Sequence, residues 1–181
     1  HGHRDRGFAI ANALAAIEAG ATRIHATALG LGERCGNTEI ELLLVNLELL
    51  GVTNADLSVL PEYCRLAANM CHVPLIHSSP VVGRDAFRTG TGVHAAAIMK
   101  AEAKGDAWLA DRIYSSVPAS LVGREQVIEI GPMSGQSNVR HWLQKHGYDD
   151  NESLVERIFD ASKKTDHTLT EEELEDLCRG T

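Results

Sequence analysis

Between Phe8 and Ala19, apolar residues return every three or four positions, at Phe8, Ala11, Leu14 and Ala15, and the run stops at Gly20. That spacing predicts an amphipathic helix closed by a glycine. The stretch from Ala21 to Leu29, with Thr22-Arg23-Ile24-His25-Ala26-Thr27-Ala28 at its centre, predicts a short strand. A glycine-rich loop occupies 30–37. Thr38 and Glu41 then stand at capping-box spacing, so a helix is expected from Thr38 to about Leu50, ended by Gly51. Residues 52–56 suit another short strand, and Pro61 opens a helix reaching about Cys71.

Strand and helix therefore alternate over the first 72 residues, which implies parallel strands joined by helical crossovers, an α/β fold. His1, His3 and Asn37 each fall just after a strand position and before a helix. In a (β/α)8 TIM barrel this is the rim that carries catalytic groups. Three βα units do not close a barrel, and the chain has neither a Met start nor a strand before His1. Residues 1–72 are thus expected to be the C-terminal βα units of a TIM barrel whose other units lie upstream. From Val73 to Thr91 the chain is broken by Pro and Gly and has little periodicity. Helical patterns return at about 93–104, 106–113, 137–146, 152–164 and 171–179, the last with a Thr170–Glu173 box, and Val127–Ile130 reads as extended. Residues 73–181 are expected to form a linker and a mainly helical accessory subdomain.

Composition narrows the classes. With 181 residues, 44% of them hydrophobic and 23% charged, the chain has the make-up of one ordinary globular domain. A formal charge of −8 without any Lys/Arg cluster argues against nucleic-acid and membrane-surface partners. No apolar run is long enough for a transmembrane helix and no signal peptide is visible, so a cytoplasmic location is expected. Cys35, Cys64, Cys71 and Cys178 lack CxxC spacing and suit reduced cysteines used as small apolar residues.

The chemistry-bearing residues cluster at the start. His1 and His3, at i and i+2, project to the same side of an extended segment and can share one cation. An HxH pair alone is a weak signal. A terminal-amine copper site is a second reading, but it suits all-β oxidases better than a helix-rich chain. Asn37 alone most simply caps a helix.

Together, HGHRDRGFAIANALAAIEAGA and GLGERCGNTEIELLL closely resemble the DRE-TIM metallolyase family, with its HxHxDxGxAxAN and GxGERxGN patterns. That family includes 2-isopropylmalate, homocitrate and citramalate synthases and HMG-CoA lyase. Pro80-Val81-Val82-Gly83-Arg84-Asp85-Ala86-Phe87 and Gly92-Val93-His94 resemble a stretch shared by the synthases. Met133-Ser134-Gly135-Gln136-Ser137 is similar to their H-S-G-R segment. The resemblance implies a divalent cation (Mg2+, Mn2+ or Zn2+) held by His1, His3 and Asn37 with an Asp from an upstream strand. Mixed nitrogen and oxygen ligation does not choose among these metals. The cation would polarise the keto group of a 2-oxo acid for attack by acetyl-CoA. The resemblance also implies that His94 and Tyr114 act as general acid/base helpers in a neighbouring subunit's site, hence a homodimer. The favoured activity is 2-isopropylmalate synthesis in leucine biosynthesis. Homocitrate synthase, citramalate synthase and a non-catalytic fragment or interaction subunit remain as alternatives.

Several residues stay open. Glu33 and Arg34 suit a mutual charge pair, and Asp5 suits either an acceptor orienting a ligand imidazole or a helix cap. Arg4 and Arg6 read as rim charges. His25, His72, His77, His141, His146 and His167 match no site motif and read as surface or core fillers, and the closing acidic helices as solvated faces packed on a neighbour. Relative to the synthases, Thr89-Gly90-Thr91 replaces His-Glu-Ser, Ala95-Ala96-Ala97 replaces Gln-Asp-Gly, and Met133 replaces the His of H-S-G. These departures put the substrate in doubt more than the metal chemistry.

Overall fold

The computed structural model describes residues 1–180 and is a mixed α/β arrangement of two compact units. One comprises His1–Ala86 with Val117–Arg124, and the other Phe87–Ser116 with the chain from Glu125 onward.

In the first unit α1 spans Ala9–Glu18, as the apolar period predicts, and buries Ala9 and Ala13. The strand expected at 21–29 contracts to β1, Ala26–Thr27, followed by a 3-10 turn at Ala28–Gly30 in which Leu29 has φ 55°. β2, Thr38–Glu39, runs parallel to β1, pairing Ala26 with Thr38 and Thr27 with Glu39. The helix then begins later than expected, as α2 over Ile40–Leu49, and the Thr38–Glu41 box does not form. Thr38 is committed to the ladder, while Glu41 turns inward, where its Oε2 accepts the Leu29 N–H at 3.0 Å. No strand forms at 52–56. There the Glu48 carboxylate gathers the Thr53 hydroxyl and the Ala55 N–H at 3.0 Å each, a local bonding that replaces a ladder. α3, Leu60–Met70, has Pro61 in its first turn, where a missing N–H costs nothing. Leu43, Val45, Leu57, Leu60, Cys64 and Ala68 are buried in this unit.

In the second unit β3, Arg88–Thr89, and β4, Val127–Ile128, form another two-residue parallel pair, with an Arg88–Glu129 ion pair beside it. α4 spans Gly92–Ala103. The helix expected over 106–113 is a single turn, α5, Ala107–Ala110, capped by the Asp106 carboxylate on the Leu109 N–H. α6 (Gln136–Lys145), α7 (Glu152–Ser162) and α8 (Glu171–Arg179) follow. Their inward residues Val139, Trp142, Leu143, Val155, Ile158 and Leu174 join Ile130 and Leu169 in one cluster. The closing helices are therefore amphipathic members of this unit's own core. The Thr170–Glu173 capping box forms as predicted.

Candidate functional site

The N-terminal segment and the 30–37 loop meet through an isolated antiparallel bridge between His3 and Asn37. The Arg4 N–H donates to the Gly36 carbonyl at 3.0 Å, and the His3 Nδ1 lies 3.3 Å from the same oxygen. A proton on Nδ1 satisfies that contact, which leaves Nε2 with its lone pair free. The His1 and His3 rings stand edge to face, centroids 4.9 Å apart. His25, which sequence pattern alone marks as a filler, brings its ring to 5.6 Å from His1. A lone histidine in a short apolar run carries no periodic signal that could have pointed to this.

Asn37 is pinned on three sides. Its N–H donates to the Gly30 carbonyl at 2.8 Å, and its Nδ2 donates to the Leu31 carbonyl at 3.1 Å. Gly32 lies so close that an added Cβ would sit 2.2 Å from Nδ2, so only glycine fits beside this amide. The remaining atom, Asn37 Oδ1, is buried without a hydrogen-bond partner among the described residues. A buried acceptor left unpaired costs free energy unless something outside the chain satisfies it.

The charges around this loop are held in specific pairs. Arg34 pairs with Asp5 through two contacts of 2.6 and 3.0 Å and with Glu33 through a longer one of 3.9 Å, so the expected Glu33–Arg34 pair forms as the weaker of the two, and the Asp5 carboxylate is held by Arg34 and does not cap α1. The Arg34 guanidinium holds the Asp5 carboxyl below the usual carboxylate range. Arg4, expected at the rim, is half-buried; its Nε donates to the Cys35 carbonyl and its Nη1 meets the Glu39 carboxylate at 2.6 Å. Arg6 is exposed, as a rim charge would be, and lies over the Phe8 ring. Beneath the loop, burial raises the pKa of the Glu41 carboxyl. Burial, with the Glu41 charge beside it, pushes the Cys64 thiol up to about 12. Arg4, Glu39 and Glu41 line an open cleft of about 180 Å³ whose other walls include Leu29, Leu42 and Ile76.

In the second unit, His94 occupies the first turn of α4 and its ring stacks on Tyr114, centroids 4.0 Å apart and planes inclined 26°. Both side chains are exposed, Tyr114 to 50%. Stacking between an imidazole and a phenol keeps the ring nitrogens and the hydroxyl available at the edges, where a proton can pass directly or through water.

Among the described residues no group of three or more His, Cys, Asp or Glu side chains is arranged to hold a metal ion. What the first unit offers is a mixed set, two imidazoles on the N-terminal segment and an amide oxygen on the 30–37 loop, where Asn37, expected just after a strand, instead stands directly before β2. Of these, the orphaned Asn37 Oδ1 and the free His3 Nε2 have the donor chemistry that suits a divalent cation. Residues 1–66 match the HMGL-like family model, and the chain belongs to this DRE-TIM metallolyase family, whose architecture is the TIM barrel. The chain is 35% identical over 153 residues to a homocitrate synthase of Pyrococcus horikoshii, covering 84% of this chain and 40% of that protein. It is 32% identical over 177 residues to an (R)-citramalate synthase of Aquifex aeolicus, covering 92% and 32%. To a 2-isopropylmalate synthase of Yersinia pestis it is 28% identical over 169 residues, covering 91% and 31%. The chain thus spans about a third to two fifths of the length of these curated relatives. No helix among the described residues is long and apolar enough to cross a membrane.

Proposed function

We propose that this chain is the metal-rim and accessory portion of a cytoplasmic, homodimeric acyltransferase that condenses acetyl-CoA with a 2-oxo acid. In this reading residues 1–72 supply the last βα units of a barrel and residues 73–181 the accessory region. The observation that carries it is the buried, unpartnered Asn37 Oδ1 beside His3, whose Nδ1 contact with Gly36 leaves Nε2 free. His1, His3 and Asn37 would hold a divalent cation, Mg2+, Mn2+ or Zn2+, with further positions filled from outside this set. Bound there, the cation supplies Lewis acidity toward a keto oxygen.

The chain's own residues do the rest. Gly36 O keeps the His3 ring oriented, and Leu31 O keeps the Asn37 amide from turning. His94 holds or releases a proton at an imidazole nitrogen, and Tyr114 does so at its hydroxyl, serving proton removal from the acetyl methyl and return to the new alcohol. Water then hydrolyses the thioester and frees CoA.

For the 2-oxo acid, the 2-isopropylmalate synthase reading, with 3-methyl-2-oxobutanoate as substrate, stands beside a homocitrate or citramalate reading. Identities of 35%, 32% and 28% to a homocitrate, a citramalate and a 2-isopropylmalate synthase do not separate the three readings, so all three substrates are tested. The test has two arms. Mn2+ titration followed by electron paramagnetic resonance should reveal one bound ion, with affinity falling about tenfold or more in both His3→Ala and Asn37→Ala. Thiol release from acetyl-CoA should rise with one member of a panel of 2-oxo acids. Mn2+ binding that ignores both substitutions overturns the metal assignment; binding without stimulated thiol release from the intact protein overturns the synthase and favours an interaction subunit.

A further inference from the structure

The Met133–Asn138 segment carries no reactive side chain once Met133 stands where the synthases have histidine, yet it buries two polar residues completely or nearly so. Ser134 is 4% exposed and Asn138 0%. The Ser134 hydroxyl donates to the Gly90 carbonyl at 2.6 Å, with the Glu129 carbonyl at 3.1 Å, and accepts the Gly131 N–H at 2.9 Å. Asn138 uses its whole amide. Its Oδ1 accepts the Gly135 N–H at 3.1 Å, while Nδ2 donates to the Glu129 carbonyl at 2.8 Å and the Gly90 carbonyl at 3.2 Å. The Gly92 N–H donates to the Met133 carbonyl at 3.1 Å. From the end of α7, Lys163 Nζ braces the same turn through the carbonyls of Pro132 at 2.7 Å and Ser134 at 2.6 Å.

The Ser134, Asn138 and Met133 bonds meet Gly90 and Gly92, which flank Thr91 at the start of α4, and His94 lies two residues beyond Gly92 in the same helical turn. The backbones are in contact there, since a Cβ added to Gly92 would fall 2.7 Å from Gly135 N. We infer that Ser134 and Asn138 are positioning residues that fix the first turn of α4 and so set the His94–Tyr114 stack. Two donors and one acceptor on a short planar group are what the three surrounding backbone atoms require, and asparagine supplies them. Buried networks of this kind are rigid because each lost bond strands a partner out of water. The stack depends on the axial and rotational setting of α4 at its first turn, which the Gly90 and Gly92 bonds hold. This inference rests on the reading of His94 as a proton-transfer group only for its catalytic consequence, and the geometry stands apart from that reading.

The experiment is two-dimensional 1H–13C NMR of the histidine ring signals in the full chain, with His94 assigned by His94→Gln. Wild type should show a His94 signal displaced by the Tyr114 ring current and lost in Tyr114→Leu. Ser134→Ala should move that signal most of the way toward the unstacked position, and Asn138→Ala further. Ser162→Ala removes another buried hydroxyl of this unit, one bonded to the Phe159 carbonyl, and should leave the signal in place. In turnover by the intact protein, Ser134→Ala should lower kcat by about tenfold to a hundredfold while the KM for the 2-oxo acid stays unchanged. A His94 signal unmoved in folded Ser134→Ala overturns the inference, as does an equal displacement in Ser162→Ala. A displaced signal in Ser134→Ala with full kcat in His94→Gln upholds the inference and overturns the catalytic reading of His94, so the two failures are separable.

Discussion

The two units hold their elements by different means. In the first, α3 leaves Val59, Tyr63, Leu66 and Met70 exposed at spacings of four, three and four, Met70 to 72%. Helices α1, α2 and α3 there are preceded by Phe8, Glu39 and Val59, none of which makes a side-chain cap bond among the described residues. In the second, Ile130, Val139, Leu143, Val155 and Ile158 are sealed together, and Asp106, Asn151 and Thr170 each cap a helix. A helix that keeps an apolar stripe in water and has no cap draws little stability from its own ends or that face. The first unit's candidate site is instead ordered by bonds between the N-terminal segment and the 30–37 loop, whereas the second's rests on a closed core and a buried polar hub. Substitutions should therefore act locally in one unit and cooperatively in the other.

The largest contrast should come from leucine truncation. Leu143→Ala, at a fully buried position, should lower stability by about 2–5 kcal/mol in urea denaturation. Leu66→Ala, on the exposed stripe of α3, should change it by less than about 0.5 kcal/mol. Equal losses would erase the distinction between the units. A smaller effect is expected at the cap of α8, where Thr170→Ala removes the acceptor for the Glu173 N–H and should cost about 1 kcal/mol, with amide exchange accelerated across Glu171–Arg179. Thr170→Ser should retain most of the protection.

The smallest effect is a pH dependence at the same place. Bonds to Glu173 and Asp166 raise the His167 pKa above its ordinary 6.5, so its contribution is complete below 6.5 and is lost as pH climbs through the raised value. Bonds from Thr170 and His167 lower the Glu173 pKa below 4.5, so its contribution is complete above 4.5 and is lost as pH falls through the lowered value. Amide protection in α8 should be greatest between these limits, and His167→Ala should abolish the alkaline decline alone. A decline that persists in His167→Ala would assign it to another group.

Most helices were legible because each carries at least two agreeing signals: an apolar period with a glycine stop in α1, and a period with a capping box in α8. The strands were legible only in part: β1 and β4 fall within stretches read as extended, whereas β2 and β3 were not anticipated. Each has two residues and depends on a partner roughly ten to forty positions away, which local pattern does not register. The Thr38–Glu41 box misled because two competing partners won: the parallel ladder took Thr38 and the Leu29 N–H took Glu41. Of the candidate site, adjacency of His1 and His3 was readable from spacing, and Asn37 from a motif. The Asp5–Arg34 pair, twenty-nine positions apart, and the approach of His25 to His1 were not, since both arise only when the loop folds back.

Gly32 has a consequence beyond steric fit. With bare backbone pressed against one side of the Asn37 amide and a carbonyl fastening its nitrogen, the side chain has lost its torsional freedom before any guest arrives. An incoming cation would find the oxygen already aimed, so little configurational disorder is forfeited on association. Were a cation captured there, the slow part would be shedding of the ion's own hydration shell, a step set by the identity of the metal rather than by motion of the polypeptide.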